Sequence, residues 1–320
     1  MKSEDIKKVA VIGAGIMGEG IALNFAQAGI SVWLLDKDQG ILDNTIARIE
    51  LNLKQLEEFG LVRDDLSAIV SRIQPALHTD LKQIISNCEF AVEAIPEVLE
   101  LKKELFYHMD SFGSDAILSS NTSSFTISSI SEGLRNPQRV VGLHYFNPAH
   151  IIPAVEIHQG RDTSSHTVDI TRKLMLRVGK KPVLVRKEVP GFIINRLTGA
   201  MEREIDFLLE EGIVTPDDLD TAVKASYGFR LACIGPMKAE DMIGLDTAAR
   251  VSEHIFKQLS NSKSPSPLLL EKVRKGELGI KSGKGWYDYT GRTRDEVGDE
   301  INKRLLRQLV LFKACEDETA

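Results

Sequence analysis

The sequence is most informative at Lys7-Lys8-Val9-Ala10-Val11-Ile12-Gly13-Ala14-Gly15-Ile16-Met17-Gly18, where a β-branched run leads into a GxGxxG loop. Residues 9–12 have the length and branching of a buried parallel strand. The apolar face that follows predicts a helix, which Gly29 ends in the position of a C-cap glycine. A second strand, residues 31–35, leads to Asp36. This strand–loop–helix–strand order is the context in which a GxGxxG loop indicates a dinucleotide site.

Each glycine of the loop has its own physical role. Gly13 allows the tight turn, Gly15 lets backbone N–H groups approach a pyrophosphate, and Gly18 lets helix and strand pack closely. The helix N-terminus offers unpaired amides to phosphates. A carboxylate at Asp36 can accept hydrogen bonds from ribose hydroxyls and repels a 2′-phosphate, which favours NAD over NADP. The alternative is a structural turn with a surface aspartate. The residues predicted to bind NAD are Gly13, Gly15, Ile16, Met17, Gly18 and Asp36.

Bulk composition excludes several classes of function. The chain has 320 residues, 42% hydrophobic and 27% charged, which favours a globular protein with two cores. A net charge of −6 with interspersed signs predicts no nucleic-acid or membrane partner. No apolar run reaches the roughly 18–20 residues of a membrane span, and the N-terminus lacks the apolar core of a secretion signal. Three scattered cysteines fit neither a disulfide framework nor a metal site, so we expect a cytoplasmic protein without a metal.

The order of predicted elements indicates two domains and a tail. Strand-like runs alternate with helices at first, which predicts an α/β Rossmann domain with a doubly wound, mostly parallel sheet and antiparallel additions near its end. Residues 41–73 predict one or two helices outside that sheet, and the strand pattern stops near residue 189. We therefore predict a Rossmann domain over 1–188, an all-helical domain over 189–290, and a charged helical tail over 291–320.

Two predicted strands carry one titratable side chain each among apolar neighbours. His144 lies in the segment GLHYFNP, residues 142–148, and Glu156 in AVEI, residues 154–157. Taken singly, each is more often structural than catalytic. A buried glutamate is costly unless it is paired, and imidazole, with a pKa of about 6.5, suits the removal of a hydroxyl proton. We therefore predict a pair in which Glu156 orients His144 and stabilises its protonated form.

Polar residues elsewhere leave alternatives open. The run SSNTSS, residues 119–124, follows a predicted strand at the edge where open α/β sheets bind ligands, or it is a helix N-cap for the segment after Phe125. Asn195 falls in an apolar helical turn, where a buried amide either binds a substrate carbonyl or caps a neighbouring element. His150 is a pocket-rim loop residue or a second polar group above the substrate. Arg230 faces a similar choice between a residue at the pocket rim and a bidentate clamp for a substrate carboxylate.

Eight motifs in order resemble the L-3-hydroxyacyl-CoA dehydrogenases, which include the bacterial 3-hydroxybutyryl-CoA enzymes. They are GAGIMG (13–18), AVEAIPE (91–97), SSNTSS (119–124), GLHYFNP (142–148), AVEI (154–157), PGFIINRL (190–197), IGLD (243–246) and GIKSGKGWYDY (279–289). Each is modest alone, but their order and spacing are highly specific. The resemblance implies an NAD-dependent oxidoreductase of fatty-acid metabolism that acts on CH–OH groups, with a Rossmann domain and a helical domain that forms a homodimer.

The resemblance also implies roles for single residues. His144 falls on the catalytic base of the family and Glu156 on its partner. Ser123 and Asn147 fall on residues that contact the reacting oxygens of the substrate, and Asn195 on the asparagine of the PGFxxNR motif.

Two positions match cofactor contacts of the family. Glu97 and Lys102 correspond to residues along the ribose and nicotinamide side of the dinucleotide.

An intact Ser, His, Glu and Asn set argues against the alternative from a different class, a catalytically silent NAD-binding structural protein.

Two segments depart from the acyl-CoA pattern. Residues 149–154 read Ala-His-Ile-Ile-Pro-Ala, where the CoA enzymes usually have a small residue followed by valine, methionine, lysine and leucine. Residues 231–234, Leu-Ala-Cys-Ile, lengthen a connection that is shorter in those enzymes. Both resemble relatives that act on small free acids: the carnitine, gulonate and pyridine-carboxylate dehydrogenases. The predicted small-molecule substrate is therefore a 3-hydroxyacyl-CoA or, alternatively, a free hydroxy acid.

Overall fold

The protein is described by a computed structural model, which defines residues 1–317 and their side chains through residue 315. The last three residues of the predicted tail, 318–320, lie outside the described residues. The chain forms two compact units. The first comprises Met1–Ile193 with Leu305–Leu309, and the second comprises Ile194–Arg304 with the chain from Val310 onward.

The first unit is built on one eight-stranded sheet. Its strands are β1 (Lys8–Ile12), β2 (Ser31–Asp36), β3 (Ile73–Leu77), β4 (Phe90–Glu93), β5 (Ile117–Ser120), β6 (Val140–Tyr145), β7 (Ala154–His158) and β8 (Lys181–Val185). They lie in the order β3-β2-β1-β4-β5-β6-β7-β8, and all neighbours are parallel except β6 and β7. The predicted Rossmann sheet with antiparallel pairing near its end is confirmed.

Both faces of this sheet are covered. The helices of the unit are α1 (Ile16–Gln27), α2 (Gln39–Glu58), α3 (Leu66–Ser71), α4 (Leu81–Ile85), α5 (Leu99–Ser111), α6 (Ile127–Ile130) and α7 (Ser165–Arg177). Because side chains alternate along a strand, β1 contributes Val9 and Val11 to one apolar cluster and Ala10 and Ile12 to the other. A strand buried on both faces is expected of a parallel sheet with helices on each side.

The strand β3 was not expected from the sequence. It lies at the edge of the sheet next to β2 and exposes Gln74, Pro75 and Leu77. Proline cannot donate to a strand ladder and is tolerated only at such edges. The absence of a predicted strand between residues 36 and 89 was therefore wrong, because a short, half-exposed, proline-containing strand lacks the apolar pattern of its neighbours.

The second unit is helical. Its helices are α8 (Ile194–Glu210), α9 (Pro216–Ala225), α10 (Tyr227–Leu231), α11 (Pro236–Ile243), α12 (Leu245–Ile255), α13 (Pro267–Arg274) and most of α14 (Arg294–Asp317). The remaining part of α14 belongs to the first unit, where Leu306 and Leu309 are 1% and 7% exposed in the core. Within residues 1–317, no helix is both long and apolar enough to cross a membrane.

Candidate active site

The glycine loop joins β1 to α1 and leaves room for a ligand at the helix N-terminus. Gly13 has φ +105°, and a Cβ there would lie 2.5 Å from the carbonyl oxygen of Ala94. A Cβ at Gly18 would overlap the carbonyl oxygen of Gly13. Gly15, the N-cap of α1, differs because a Cβ there would meet no atom within 4 Å. The fold therefore requires glycine at 13 and 18, while the space beside Gly15 fits a pyrophosphate on the exposed amides of α1.

Asp36 ends β2 beside this loop. Its Oδ2 accepts a hydrogen bond from the Ala14 N–H at 2.8 Å, and its Oδ1 accepts one from the Lys37 N–H at 2.7 Å. Two backbone donors therefore fix the carboxylate next to the glycine loop. This is the arrangement that ribose recognition by a Rossmann domain requires, so the residues fit NAD.

His144 and Glu156 form the pair that the sequence predicts. The antiparallel register of β6 and β7 places the two residues directly opposite each other. Nδ1 of His144 lies 2.8 Å from Oε2 of Glu156, and the residues are 5% and 1% exposed. The second carboxylate oxygen, Oε1, accepts the Ile193 N–H at 3.1 Å. A carboxylate accepts hydrogen bonds only, so the ring carries its proton on Nδ1, and Nε2 keeps the lone pair of a base.

The sheet places this base at the edge that also holds the glycine loop. His144 is next to last in β6, which runs parallel to β5, and the carboxyl ends of β1, β4 and β5 lie at that edge. The Tyr145 N–H donates to Oδ1 of Asn121 at 2.9 Å and so ties the end of β6 to the loop after β5. Ligands bind at this edge in open α/β sheets.

Glu97, Lys102 and Ser123 come together in the loops after β4 and β5. The Lys102 ammonium is buried and donates to Glu93 at 2.6 Å and to Glu97 at 3.1 Å. Glu97 also accepts the Ser123 N–H at 3.0 Å. Partial burial alone raises the pKa of Glu97, but hydrogen bonds from the Thr122 hydroxyl and from Lys102 together bring it below its ordinary value. Glu97 is therefore an anion. Contacts of Glu97 and Lys102 with the dinucleotide stay predictions.

The run SSNTSS does not cap a helix. Ser119 and Ser120 are buried members of β5, and the Ser120 hydroxyl donates to Glu93 at 2.5 Å. The N-cap of α6 is Thr126, whose hydroxyl oxygen accepts the Ser129 N–H at 3.3 Å. The N-cap alternative for residues 119–124 was therefore wrong, because the capping residue lies two positions beyond them.

The other predicted substrate residues lie on exposed parts of the chain. Asn147 is exposed after β6. In the second unit, Asn195 lies in the first turn of α8 and Arg230 on α10, and both are exposed. The predicted burial of the Asn195 amide was wrong, because its side chain is exposed. Substrate roles for the three residues stay predictions.

The segment that departs from the acyl-CoA pattern packs against the dinucleotide helix. A Cβ at Gly20 of α1 would lie 2.9 Å from the His150 backbone nitrogen and from Ala149 Cβ. The buried Lys180 ammonium donates to the carbonyl oxygens of Ala149 and Ile152 at 2.6 and 2.8 Å. Burial, and secondarily Lys180, lowers the pKa of His150 to about 4. His150 is therefore neutral at physiological pH.

Sequence reasoning missed one residue of the site, His158. It is 1% exposed, and its Nε2 lies 3.6 Å from Oε2 of Glu156. The sign available in the sequence was its position two residues after Glu156, which puts both side chains on one face of a strand.

Taken with the fold, this geometry defines a class: the nicotinamide-dependent dehydrogenases that act on CH–OH groups. Residues 8–189 match the 3-hydroxyacyl-CoA dehydrogenase NAD binding domain, and residues 191–289 match the C-terminal domain of the same family. The chain belongs to the 3-hydroxyacyl-CoA dehydrogenase family and is an NAD-dependent oxidoreductase. Its relatives are named as enzymes for acyl-CoA substrates and for free-acid substrates.

The chain is similar to both kinds of relative. It is 35% identical to the 5-formyl-3-hydroxy-2-methylpyridine 4-carboxylate 5-dehydrogenase of Mesorhizobium japonicum over 302 residues. This match covers 94% of this chain and 96% of that protein. It is 36% identical over 284 residues to a probable 3-hydroxybutyryl-CoA dehydrogenase of Deinococcus radiodurans, which covers 88% of this chain and 100% of that protein.

Solved structures give the same two groups. A crystal structure of the pyridine-carboxylate 5-dehydrogenase, described as an NAD+-dependent dismutase, has a TM-score of 0.88 at 33% identity, with 97% of this chain and 99% of that one covered. The (S)-3-hydroxybutyryl-CoA dehydrogenase of Ralstonia eutropha has a TM-score of 0.71 at 32% identity, with 89% and 99% covered.

Proposed function

We propose that His144 is the general base of this dehydrogenase and that Glu156 is its partner. The observation that carries the proposal is the buried 2.8 Å hydrogen bond between His144 Nδ1 and Glu156 Oε2. NAD, when bound, supplies the acceptor for the hydride that leaves the substrate C–H. His144 Nε2 accepts the hydroxyl proton as the carbon–oxygen double bond forms, and the Glu156 carboxylate stabilises the resulting imidazolium.

Ser123 and Asn195 are the groups we propose to hold the substrate oxygen on which charge develops. Ser123 is supported by its position, because its N–H is fixed on Glu97 in the loop after β5, at the edge of the sheet that carries His144. Asn195 and Asn147 are supported by their motifs, PGFIINRL and GLHYFNP. Arg230 is proposed as a clamp for a substrate carboxylate, since guanidinium binds carboxylates through two parallel hydrogen bonds.

For the substrate, a small free hydroxy acid has more support than an acyl-CoA. The structure of the pyridine-carboxylate dehydrogenase matches this chain with a TM-score of 0.88, whereas the (S)-3-hydroxybutyryl-CoA dehydrogenase of Ralstonia eutropha matches it with a TM-score of 0.71. The segment Ala149–Pro153, which lacks the usual valine–methionine–lysine–leucine run, lies against α1. We propose that this segment adapts the site to a substrate whose carboxylate is not carried on CoA.

The experiment that tests the function is NADH consumption with two kinds of oxo substrate. Acetoacetyl-CoA is compared with free 3-oxo acids, including dehydrocarnitine, and with the pyridine aldehyde acid of the Mesorhizobium relative. We expect at least one free acid to exceed acetoacetyl-CoA by tenfold or more in kcat/KM. Faster turnover of acetoacetyl-CoA would overturn the free-acid proposal, and no turnover of any compound would count against the dehydrogenase reaction itself.

We also propose that the chain is a homodimer that associates through the helical unit. The six helices from α8 to α13 contain no buried residue, which leaves them without an apolar core of their own. Large apolar side chains are exposed there: Phe229 by 73%, Met242 by 73% and Phe256 by 68%. Large exposed apolar side chains are typical of a protein interface.

Light scattering after gel filtration tests the dimer. We expect about 71 kDa, twice the 35.5 kDa of one chain. Met242→Glu with Phe256→Glu should reduce the mass to that of a monomer, because each change buries a charge at the interface. Tyr107→Glu, at a 61% exposed position of α5, is the matched control and should leave the mass unchanged. A wild-type mass of 35.5 kDa would contradict the proposal.

A further inference from the structure

His158 is a buried imidazole that the hydride-transfer chemistry leaves without a role. It is 1% exposed on β7, and neither ring nitrogen has a hydrogen-bond partner within residues 1–317. A buried polar group without a hydrogen-bond partner is unfavourable to the fold. Gly142 faces it from β6, and a Cβ at Gly142 would lie 2.7 Å from His158 Cβ. The neighbouring strand therefore makes room for this ring.

The ring approaches the same carboxylate oxygen as the base. Nε2 of His158 lies 3.6 Å from Glu156 Oε2, which already receives His144 Nδ1 at 2.8 Å. The centroids of the two imidazoles are 6.3 Å apart. A distance of 3.6 Å is longer than a hydrogen bond, but a shift of about half an ångström by the ring or the carboxylate would close it to the ordinary N–H···O range.

An aromatic side chain holds the ring at this place. Phe192, 1% exposed, packs on His158 with centroids 3.6 Å apart and planes at 36°, and it lies 5.5 Å from His144. Its φ of +54° is the left-handed conformation, which a bulky residue adopts only where its surroundings impose it. The next residue, Ile193, donates its N–H to Glu156 Oε1. One short segment therefore fixes both His158 and the carboxylate.

Burial keeps His158 neutral against the pull of two nearby carboxylates. Burial lowers the pKa of His158, and His144 on β6 acts in the same direction. Glu156 on β7 and Glu188, after β8, oppose this without overcoming it. A neutral imidazole carries one N–H, and the tautomer with that hydrogen on Nε2 directs it at the carboxylate. His158 can therefore donate to Glu156 without adding a charge to the site.

We propose that His158 is a positioning residue for the base: its Nε2–H donates to Glu156 Oε2 and holds that carboxylate charged and oriented toward His144 Nδ1. The inference rests on the proposed function of His144 and Glu156. Without this donor, the carboxylate is more basic and holds the His144 proton more tightly. The base then loses its proton at higher pH, and proton transfer from the substrate is slower at neutral pH.

Two substitutions separate this role from packing. His158→Phe keeps the ring volume and the stack on Phe192 but removes the donor, whereas His158→Gln gives up the stack and keeps an N–H donor. We expect His158→Phe to lower kcat about 3- to 10-fold, because the carboxylate loses one hydrogen-bond donor, and to move the acid limb of the kcat/KM pH profile upward. His158→Gln should recover most of the rate and the wild-type limb. Wild-type kinetics for His158→Phe would overturn the proposal, and so would a folded His158→Gln enzyme that is as slow as His158→Phe.

A spectroscopic readout does not depend on turnover or on folding of the variants. Nitrogen-15 NMR of the wild-type full-length protein, labelled at histidine, reports which nitrogen of His158 carries hydrogen. We expect the neutral Nε2–H tautomer at pH 7. A Nδ1–H tautomer or an imidazolium would overturn the proposal even if the enzyme is active, and lack of dehydrogenase activity with the expected tautomer would instead count against the proposed function. The ring nitrogens of His144 and His158 and a carboxylate oxygen of Glu156 could together ligate a metal, because they lie within 4.8 Å of one another. A stoichiometric metal found by elemental analysis would therefore also overturn the proposal.

Discussion

Replacement of Glu156 by glutamine tests whether the carboxylate charge beside His144 is needed for the base to work. The carboxylate has two structurally distinct oxygens: Oε2 accepts the Nδ1–H of His144 and Oε1 accepts the Ile193 N–H. An amide has one acceptor and one donor in their place. If the amide oxygen faces Ile193, the amide NH₂ faces His144 and forces the opposite tautomer, with hydrogen on Nε2 and no base toward the substrate. If the amide is reversed, the Ile193 N–H meets another donor in a buried place.

The magnitude follows from the geometry of the pair. The imidazolium that forms during the reaction lies about 4 Å from the carboxylate charge, where unit charges attract by about 4 kcal/mol at an effective dielectric constant of 20. The amide dipole keeps part of this attraction, so we expect a loss of roughly 3 kcal/mol in the transition state. At 1.36 kcal/mol per decade, Glu156→Gln should lower kcat roughly 10²-fold.

The assay is steady-state NADH formation or consumption, with NADH binding measured by fluorescence on the same preparations. Glu132→Gln, a surface change in an exposed ion pair with Lys103, is the matched control and should retain the wild-type rate. NADH affinity should change less than twofold in either variant. A Glu156→Gln enzyme with a kcat within threefold of wild type and normal NADH affinity would refute the reasoning, because the charge would then contribute nothing to the reaction.

Three further predictions concern the cofactor loop and the segment beside it. Gly15→Ala should fold normally, because its Cβ meets no protein atom, and should weaken NADH binding tenfold or more, because that Cβ occupies the space beside the loop where we expect the pyrophosphate. Gly18→Ala should instead lower the melting temperature, because its Cβ meets the Gly13 carbonyl oxygen. Equal effects of the two variants on folding would contradict this. Asp36→Ala should raise the NADP-to-NAD ratio of kcat/KM at least tenfold, and an unchanged ratio would remove the role of its carboxylate. The His150 pKa is about 4 in the fold and 6.5 ordinarily. The unfolded chain therefore binds a proton first as pH falls, and stability present above pH 6.5 is lost toward pH 4. At 1.36 kcal/mol per pKa unit this is at most about 3 kcal/mol, so urea denaturation should show a smaller acid loss for His150→Gln than for wild type.

The sequence was sufficient for the first crossover of the sheet and for the pairing of His144 with Glu156, because local patterns specify both. A β-branched run before GxGxxG and a carboxylate at the next strand end already specify the first crossover of a Rossmann sheet. The pairing of Glu156 was predictable from the free-energy cost of burying an unpaired carboxylate in an apolar strand. The structure adds the register, in which β6 and β7 run antiparallel and set His144 and Glu156 opposite each other.

Other features depend on long-range contacts that no local pattern contains. β3 exists because β2 offers it an edge, although Pro75 argues against a strand. His158 gains its significance from Phe192, which is 34 positions along the chain and packs on it at 3.6 Å. Asn195 is exposed, although the apolar spacing around it alone suggested burial. In each case the missing information is which surface covers the residue.

The most direct test of the central claim is His144→Ala, with turnover and cofactor binding measured side by side on the best substrate of the panel. We predict that NADH binding stays within twofold of wild type, since the glycine loop and Asp36 are untouched, and that kcat falls at least 10²-fold, as general-base removal requires. Turnover close to wild type with normal NADH binding would contradict the account, because the proton would then leave the substrate without the buried pair of His144 and Glu156.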